Sequence, residues 1–325
     1  MLGQSQPVRD LLARLRRFSS CDVPVLLEGE TGTGKELAAR EIHYSSARAR
    51  MPFVPINCGA LQDSLVESEL FGHRRGAFTD AKSANEGLVA CAEGGALFLD
   101  EVDALSPKAQ VTLLRFLQDS EYRPVGGGSV RVADVRIIAA TNASLHALAA
   151  EGRFRSDLLY RLNSLYARLP PLRERGDDIL LLADSFLRAA SQRLHNAPKH
   201  WSAQAQCALS AYVWPGNVRE LENVVLRACL AADRAAVELS DLAAVEPALV
   251  AKAGIEPTFQ TCSDANFAAA KGHAIDVFER GYLTALMRQT CGNVSEAARV
   301  AGTERRHLGK LLKKHGIRRS GFRSA

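Results

Sequence analysis

The segment Gly29-Glu30-Thr31-Gly32-Thr33-Gly34-Lys35 follows the apolar run Val23 to Leu27 and precedes the helical pattern Glu36 to Ser45. Strand, glycine-rich loop, lysine and helix form the context of a phosphate-binding loop, which constrains the chain more than any other feature. Glycines let the backbone wrap phosphates, and the helix N-terminus adds oriented N–H groups. Lys35 is expected to reach the β and γ phosphates as a point charge. Glu36 stands where a Ser or Thr normally coordinates magnesium, so a carboxylate there has to bind or orient the ion differently.

Short apolar runs, VPVLLEG, PFVPINC, GALFLDE, VRIIAATN and SLYARLP, alternate with helical patterns from Val23 to about Leu169. This alternation predicts an α/β unit with a mainly parallel sheet. Pro170 and Pro171 interrupt the chain, and residues 177–243 read as a smaller helical domain. Residues 244–274 show no sustained period and are expected to be a linker. Residues 275–325 carry three expected helices, around 275–289, 294–300 and 304–314. The domain expectation is thus 1–170, 171–243, 244–274 and 275–325.

The run Gly94-Gly95-Ala96-Leu97-Phe98-Leu99-Asp100-Glu101 reads as a buried strand ending in two acids. Asp100 is placed to hold magnesium, directly or through water, and Glu101 to polarise the attacking water. A third strand ends at Thr141-Asn142, where Asn142 is placed to sense the γ-phosphate or orient water. For Arg153, Arg155 and Arg161, transition-state contacts and surface ion pairs remain equally open on spacing alone. Trp214-Pro215-Gly216-Asn217 reads as a turn between helices, with Arg219 at the surface unless the helical domain folds it toward the nucleotide.

The net charge is +5, and nine Lys or Arg against one acid lie between Arg299 and Arg323. Val294 to Arg299, the break at Ala301-Gly302, and Thr303 capping the pattern from Glu304 to Lys314 match a helix-turn-helix. Arg305, Arg306, His307 and Lys310 are the candidate base or phosphate contacts. The seven cysteines are scattered without a CxxC pair, which argues against disulfide or zinc frameworks and for buried, inert thiols. No run approaches about 18 apolar residues and no secretory signal is present, so no membrane insertion and a cytoplasmic location are expected.

Together these motifs, in this order, resemble the bacterial enhancer-binding activators of sigma-54 RNA polymerase, which are AAA+ ATPases. The resemblance runs from LGQS at Leu2 to the C-terminal hairpin. In size and in lacking a preceding receiver or sensor domain, the chain looks most like the phage-shock activator subgroup. The resemblance implies an α/β AAA+ P-loop core, a small helical lid and a C-terminal all-α helix-turn-helix domain of Fis type, carried by Gly292-Asn293 and KLLKKHGI. Glutamate after the lysine is usual in that family, so Gly29 to Glu36 are expected to hold ATP and Mg2+.

The same resemblance assigns Asp100 and Glu101 to magnesium binding and water activation, Asn57 to restraining Glu101, and Thr141 and Asn142 to sensor I. It makes Arg155 and Arg161 arginine fingers reaching a neighbouring subunit and Arg219 sensor II, which implies a homo-oligomeric ring, typically a hexamer. ESELFGHRRGAFTDA resembles the loop that touches sigma-54, with Gly76, Ala77, Phe78, Thr79, Asp80 and Ala81 as its tip. Asp80 replaces a glycine, removing backbone freedom and adding charge.

The function implied is ATP-driven remodelling of a closed promoter complex at an enhancer. Control is expected from a separate inhibitor protein or co-activator subunit. Asp80 keeps open a competing reading, a AAA+ DNA-binding regulator that does not activate sigma-54. A metabolic P-loop enzyme is disfavoured, because no acceptor-site constellation is identifiable.

Overall fold

The computed structural model describes residues 2–63, 65–77, 81, 83–194, 197–252, 279, 283, 286–287, 290, 293–303 and 305–314. The chain divides into two compact units, Met1–Gly254 and Ile255–Ala325.

All five apolar runs form strands of one parallel sheet. They are β1 (Val25–Glu28), β2 (Phe53–Asn57), β3 (Ala96–Asp100), β6 (Arg136–Thr141) and β7 (Leu165–Arg168), in the order β2-β3-β6-β1-β7. The sheet places Asn57 beside Asp100, and Glu28 beside both Thr141 and Arg168. Their carboxyl ends therefore share one edge, where ligands bind in open α/β sheets. Helices α1 (Gln6–Ser19) and α2 (Lys35–Tyr44) cover one face, where Leu11, Leu15, Ala38 and Ile42 pack on Val25, Leu27, Phe98 and Ile138.

On the other face lie α3 (Val66–Phe71), α4 (Leu88–Cys91), α5 (Pro107–Asp119), α6 (Leu145–Ala150) and α7 (Ser156–Leu162). Leu113, Phe116, Leu158 and Leu162 there meet Leu26, Leu97 and Leu99. Ser106 starts α5 by accepting a hydrogen bond from Ala109 N–H at 3.2 Å, with Pro107 fitting the first turn because it has no N–H to leave unpaired. A short antiparallel ribbon, β4 (Glu121–Tyr122) with β5 (Arg131–Val132), follows α5.

Two backbones cross tightly at Gly72 and Gly87. A Cβ on Gly72 would lie 2.3 Å from Asn85 O, and one on Gly87 would lie 2.2 Å from Gly72 N. His73 bridges both Asn85 and Val125, and Gly76 N–H donates to Ala81 O at 2.9 Å. Ala77 packs where a Cβ on Gly126 would fall, at 2.6 Å. Phe78, Thr79 and Asp80 lie outside the described residues.

After Pro170-Pro171 the chain is mainly helical, as expected: α8 (Asp178–Arg193), α9 (Ala203–Ala211), α10 (Asn217–Ala231) and α11 (Leu239–Val245), with a two-residue parallel ribbon of β8 (His200–Trp201) and β9 (Ala236–Val237). The linker expected from residue 244 does not begin there. Helix α12 (Pro247–Lys252) packs against α11 and α9, and Leu249 is fully buried, worth about 2 kcal/mol of apolar burial. Its short apolar stretch has too little length to show a period, which is why the pattern missed it.

In the second unit, α13 (Val294–Val300) and α14 (Arg305–Lys314) pack together through Val294, Ala297, Ala298, Leu308 and Leu312, with Leu283, Leu286 and Met287 in the same cluster. Asn293 caps α13 through Ser295 and Glu296 N–H. Gly302 turns the chain at a φ of 60°. Glu304 and most of 275–289 lie outside the described residues. Among the described residues no helix is long and apolar enough to cross a membrane.

The expectation of buried cysteines holds for Cys58 and Cys229 and fails for Cys21, Cys91 and Cys207, which are exposed. The last three sit at helix ends or on outward helix faces, where small apolar side chains are tolerated. Cys262 and Cys291 lie outside the described residues.

Candidate nucleotide site

The phosphate loop spans the turn from β1 to α2. Gly29 N–H donates to Thr141 O at 3.1 Å, anchoring the loop to the neighbouring strand. Lys35 Nζ donates to Gly29 O at 2.8 Å and Glu30 O at 3.3 Å. Burial pushes the Lys35 pKa down, opposed by the charges of Asp100, Asp103 and Glu101. Gly32 has a φ of 79°, and a Cβ there would lie 2.3 Å from Gly216 O, so both the turn and the lid above it require glycine.

The lid grips this loop through Asn217, read from the sequence only as part of a turn, and through Arg173 and Arg175, which the sequence pattern did not single out. Asn217, fully buried at a φ of 53°, donates from Nδ2 to Thr31 O at 3.0 Å and to Glu30 Oε2 at 3.1 Å, and its Oδ1 accepts from Leu172 N–H at 2.8 Å. Val218 N–H donates to Gly32 O at 3.0 Å. Arg173 makes a two-pronged pair with Glu30 at 2.6 and 2.9 Å. Buried Arg175 donates to Thr33 O at 2.7 Å and to Pro170 O. The Arg173 guanidinium, followed by the Asn217 amide, holds the Glu30 pKa down to about 2. Trp214, fully buried, donates to Leu209 O and supports the turn that carries Asn217. The Trp-Pro-Gly-Asn segment is thus a clamp as well as a turn. The Arg-Glu-Arg run after the proline pair and the asparagine in a glycine turn were the available sequence signals.

A cavity of about 350 Å³ opens between loop and lid, lined by Thr31, Gly32, Gly34, Lys35, Glu36, Leu37, Asp100, Glu101, Val218, Arg219 and Glu222. It unites the loop, the two acids and Arg219, which folds toward the loop as the second of the two alternatives required. Glu222 is an addition. Glu36 lines the cavity, but its carboxylate accepts from Arg40 at 2.7 and 3.0 Å, an i,i+4 pair on α2.

Asp100 is half-buried, and burial raises its pKa, opposed by Glu101 N–H and Lys35. Glu101 follows at a φ of 55°. Among the described residues no cluster of three or more His, Cys, Asp or Glu is arranged as a metal cage. A half-buried carboxylate beside a phosphate cradle instead fits Mg2+, which takes one or two carboxylates together with substrate phosphates.

Asn57 does not line the cavity. Its Oδ1 accepts from Gly59 N–H at 2.8 Å, and both Asn57 Oδ1 and Glu101 Oε2 lie 3.1 Å from where a Gly59 Cβ would be. Cys58 is buried beside Asp100, Asp103 and Glu101, and burial pushes its thiol pKa up to about 12. Asn142 also stands outside the cavity wall, its N–H donating to Asp103 Oδ1 at 3.4 Å. Arg155 and Arg161 are exposed and outside the cavity wall, with Arg155 paired to Asp157 at 2.7 Å. On α14, Arg305, Arg306, His307 and Lys310 are exposed, and Thr303 is partly buried at the turn before it.

A parallel sheet of this order, with a phosphate loop at its carboxyl edge and a helical lid closing on it, defines a P-loop nucleotide-binding protein with a AAA+ lid. Residues 1–167 match the sigma-54 interaction domain family, and residues 173–249 match the AAA+ ATPase lid domain. The chain is 44% identical over 313 residues to the transcriptional regulatory protein GlrR of Escherichia coli (strain K12), covering 96% of this chain and 67% of that protein. It is 41% identical over 329 residues to the nitric oxide reductase transcription regulator NorR2 of Cupriavidus necator, covering 98% of this chain and 63% of the relative. The crystal structure of NtrX from Brucella abortus in complex with ADP superposes with a TM-score of 0.71 at 32% identity, covering 98% of this chain and 69% of that one; NtrX in complex with ATP matches equally. The chain therefore belongs to the sigma-54 activator family of AAA+ ATPases. It spans about two thirds of the length of the curated relatives it matches.

Proposed function

We propose that this chain hydrolyses ATP to convert the closed promoter complex of sigma-54 RNA polymerase into the open complex, acting from enhancer DNA in the cytoplasm. The observation that carries this reading is the single cavity in which Lys35, Asp100, Glu101 and the lid residue Arg219 converge. Lys35 binds the β and γ phosphates, with Gly29 to Gly34 wrapping them, and Arg219 reports the nucleotide to the lid. Asp100 would hold Mg2+, which when bound neutralises phosphate charge. Glu101 orients and polarises water, Asn57 restrains Glu101, and Asn142 senses the γ-phosphate. Exposed Arg155 and Arg161 serve the site of a neighbouring subunit in a hexameric ring. Gly76 to Ala81 contact sigma-54, and Thr303, Arg305, Arg306, His307 and Lys310 contact enhancer DNA. A separate inhibitor or co-activator protein controls the ring.

The test is open-complex formation on a sigma-54 promoter with its enhancer, polymerase holoenzyme and ATP, with ATP turnover measured in the same sample. Opening that requires hydrolysis is expected. ATP turnover without opening at a verified enhancer overturns the activator reading in favour of a DNA-binding regulator that does not activate sigma-54. The charge of Asp80 at a glycine position favours that second reading.

A further inference from the structure

Asp103 joins three parts of the site that the sequence lists separately. Strand β3 ends at Asp100, the chain turns at Glu101, and a 3-10 turn over Val102–Ala104 follows, closed by Ala104 N–H to Glu101 O at 2.9 Å. This turn carries the Asp103 carboxylate across to the end of β6. There the single Thr141 hydroxyl proton has two acceptors in reach, Asp103 Oδ1 at 2.7 Å and Ala143 O at 2.9 Å, of which the charged carboxylate is the stronger, and Asp103 Oδ1 also accepts from Asn142 N–H at 3.4 Å. Thr141 is fully buried, its Oγ1 accepts from Ala143 N–H at 3.1 Å, and its carbonyl accepts from Gly29 N–H at the start of the phosphate loop. A hydroxyl-to-carboxylate bond of this length is charge-assisted and directional. One carboxylate thus sets the turn bearing Glu101 against Asn142, the first residue beyond β6, and, through Thr141, against the start of the phosphate loop.

We propose that Asp103 is a positioning residue for hydrolysis, holding Glu101 and Asn142 in register across the sheet edge through its bond to Thr141. The inference rests on the reading of Glu101 and Asn142 as the groups that act on the attacking water. Asp103 does not line the nucleotide cavity, so its loss leaves the phosphate-binding surface in place. Its charge also reaches Lys35, so a purely electrostatic role has to be separated from the geometric one. Asparagine separates them, because it keeps an acceptor oxygen and removes the charge.

The experiment compares ATP affinity and kcat for the full chain and for Asp103→Ala, Asp103→Asn, Thr141→Val, the Asp103→Ala/Thr141→Val double variant and Glu101→Gln. Asp103→Ala is expected to lose kcat by about tenfold to a hundredfold with ATP affinity changed by less than about threefold, as displaced reacting groups do. Asp103→Asn is expected to recover to within about threefold of the parent chain, and the double variant to be no slower than the slower single one. An unchanged kcat in Asp103→Ala, an Asp103→Asn variant as slow as Asp103→Ala, or losses that multiply in the double variant would overturn the proposal. Should Asp103→Ala lose its folding transition, Asp103→Ser, whose shorter side chain stops short of Thr141, takes its place under the same criterion. Retained turnover in Glu101→Gln overturns the underlying reading of the site, an outcome distinguishable from the others.

Discussion

Asn217 of the lid donates its side-chain amide to Glu30 of the phosphate loop at 3.1 Å, while the same nitrogen holds Thr31 O at 3.0 Å. Lid closure and loop shape are therefore linked through one fully buried amide. Asn217→Gly keeps a backbone that tolerates the positive φ and removes the amide, leaving Leu172 N–H buried without its partner. A loss of about 1–3 kcal/mol in stability and weaker ATP binding are expected. Chemical denaturation and ATP titration measure both. Asn217→Ala should lose more, because it adds backbone strain to the missing bonds.

The Glu30–Arg173 pair makes the clamp acid-sensitive. Glu30 is held down to about 2 in the folded protein, below its ordinary value of 4.5. A depressed carboxyl contributes stability above its unfolded pKa and loses it as pH falls through the folded one. Denaturation of the parent chain and Glu30→Gln is expected to differ at pH 7 and to converge as pH falls from 4.5 toward 2. The effect should be modest, because both side chains are over a third exposed.

Gly59 borders both Asn57 and Glu101. Its replacement by alanine would bring a methyl group to 3.1 Å from both side-chain oxygens. Gly59→Ala is expected to slow ATP turnover by about tenfold or more while retaining ATP binding, since reacting groups are displaced rather than removed. Equal turnover in the variant would show that the two oxygens yield without cost to the reaction.

Lys35→Ala should abolish most ATP-dependent activity and leave DNA binding largely intact. Removal of residues 277–325 should have the reverse effect, reducing enhancer affinity and sparing some ATPase activity. Filter-binding and phosphate-release assays on the two variants test this division of labour, and unchanged ATP turnover in the first would defeat the phosphate-loop assignment.

The sheet was readable because each strand is a short apolar run bounded by helix-length segments, and the loop because strand, glycines and lysine are contiguous. Asp100, Glu101 and Lys35 were found for the same reason, since their chemistry is local. The clamp was hidden because Asn217, Arg173 and Arg175 meet the loop across sequence separations that no periodicity encodes. Glu36 shows the converse: the partner of its carboxylate, Arg40, stands four residues along the same helix face, a spacing the sequence displays. The exposed cysteines and helix α12 were missed because composition and short segments carry little information about which side of a helix meets the core.

The crossing of Gly72 and Gly87 sets how His73 and Arg74 join the core. A junction lined by side chains can absorb displacement by changing rotamers, and this one is backbone against backbone. A displacement of His73 or Arg74 meets no side-chain rotamer at this crossing that could take it up, and the backbone there leads directly to Phe71 and Leu88, the adjoining ends of α3 and α4.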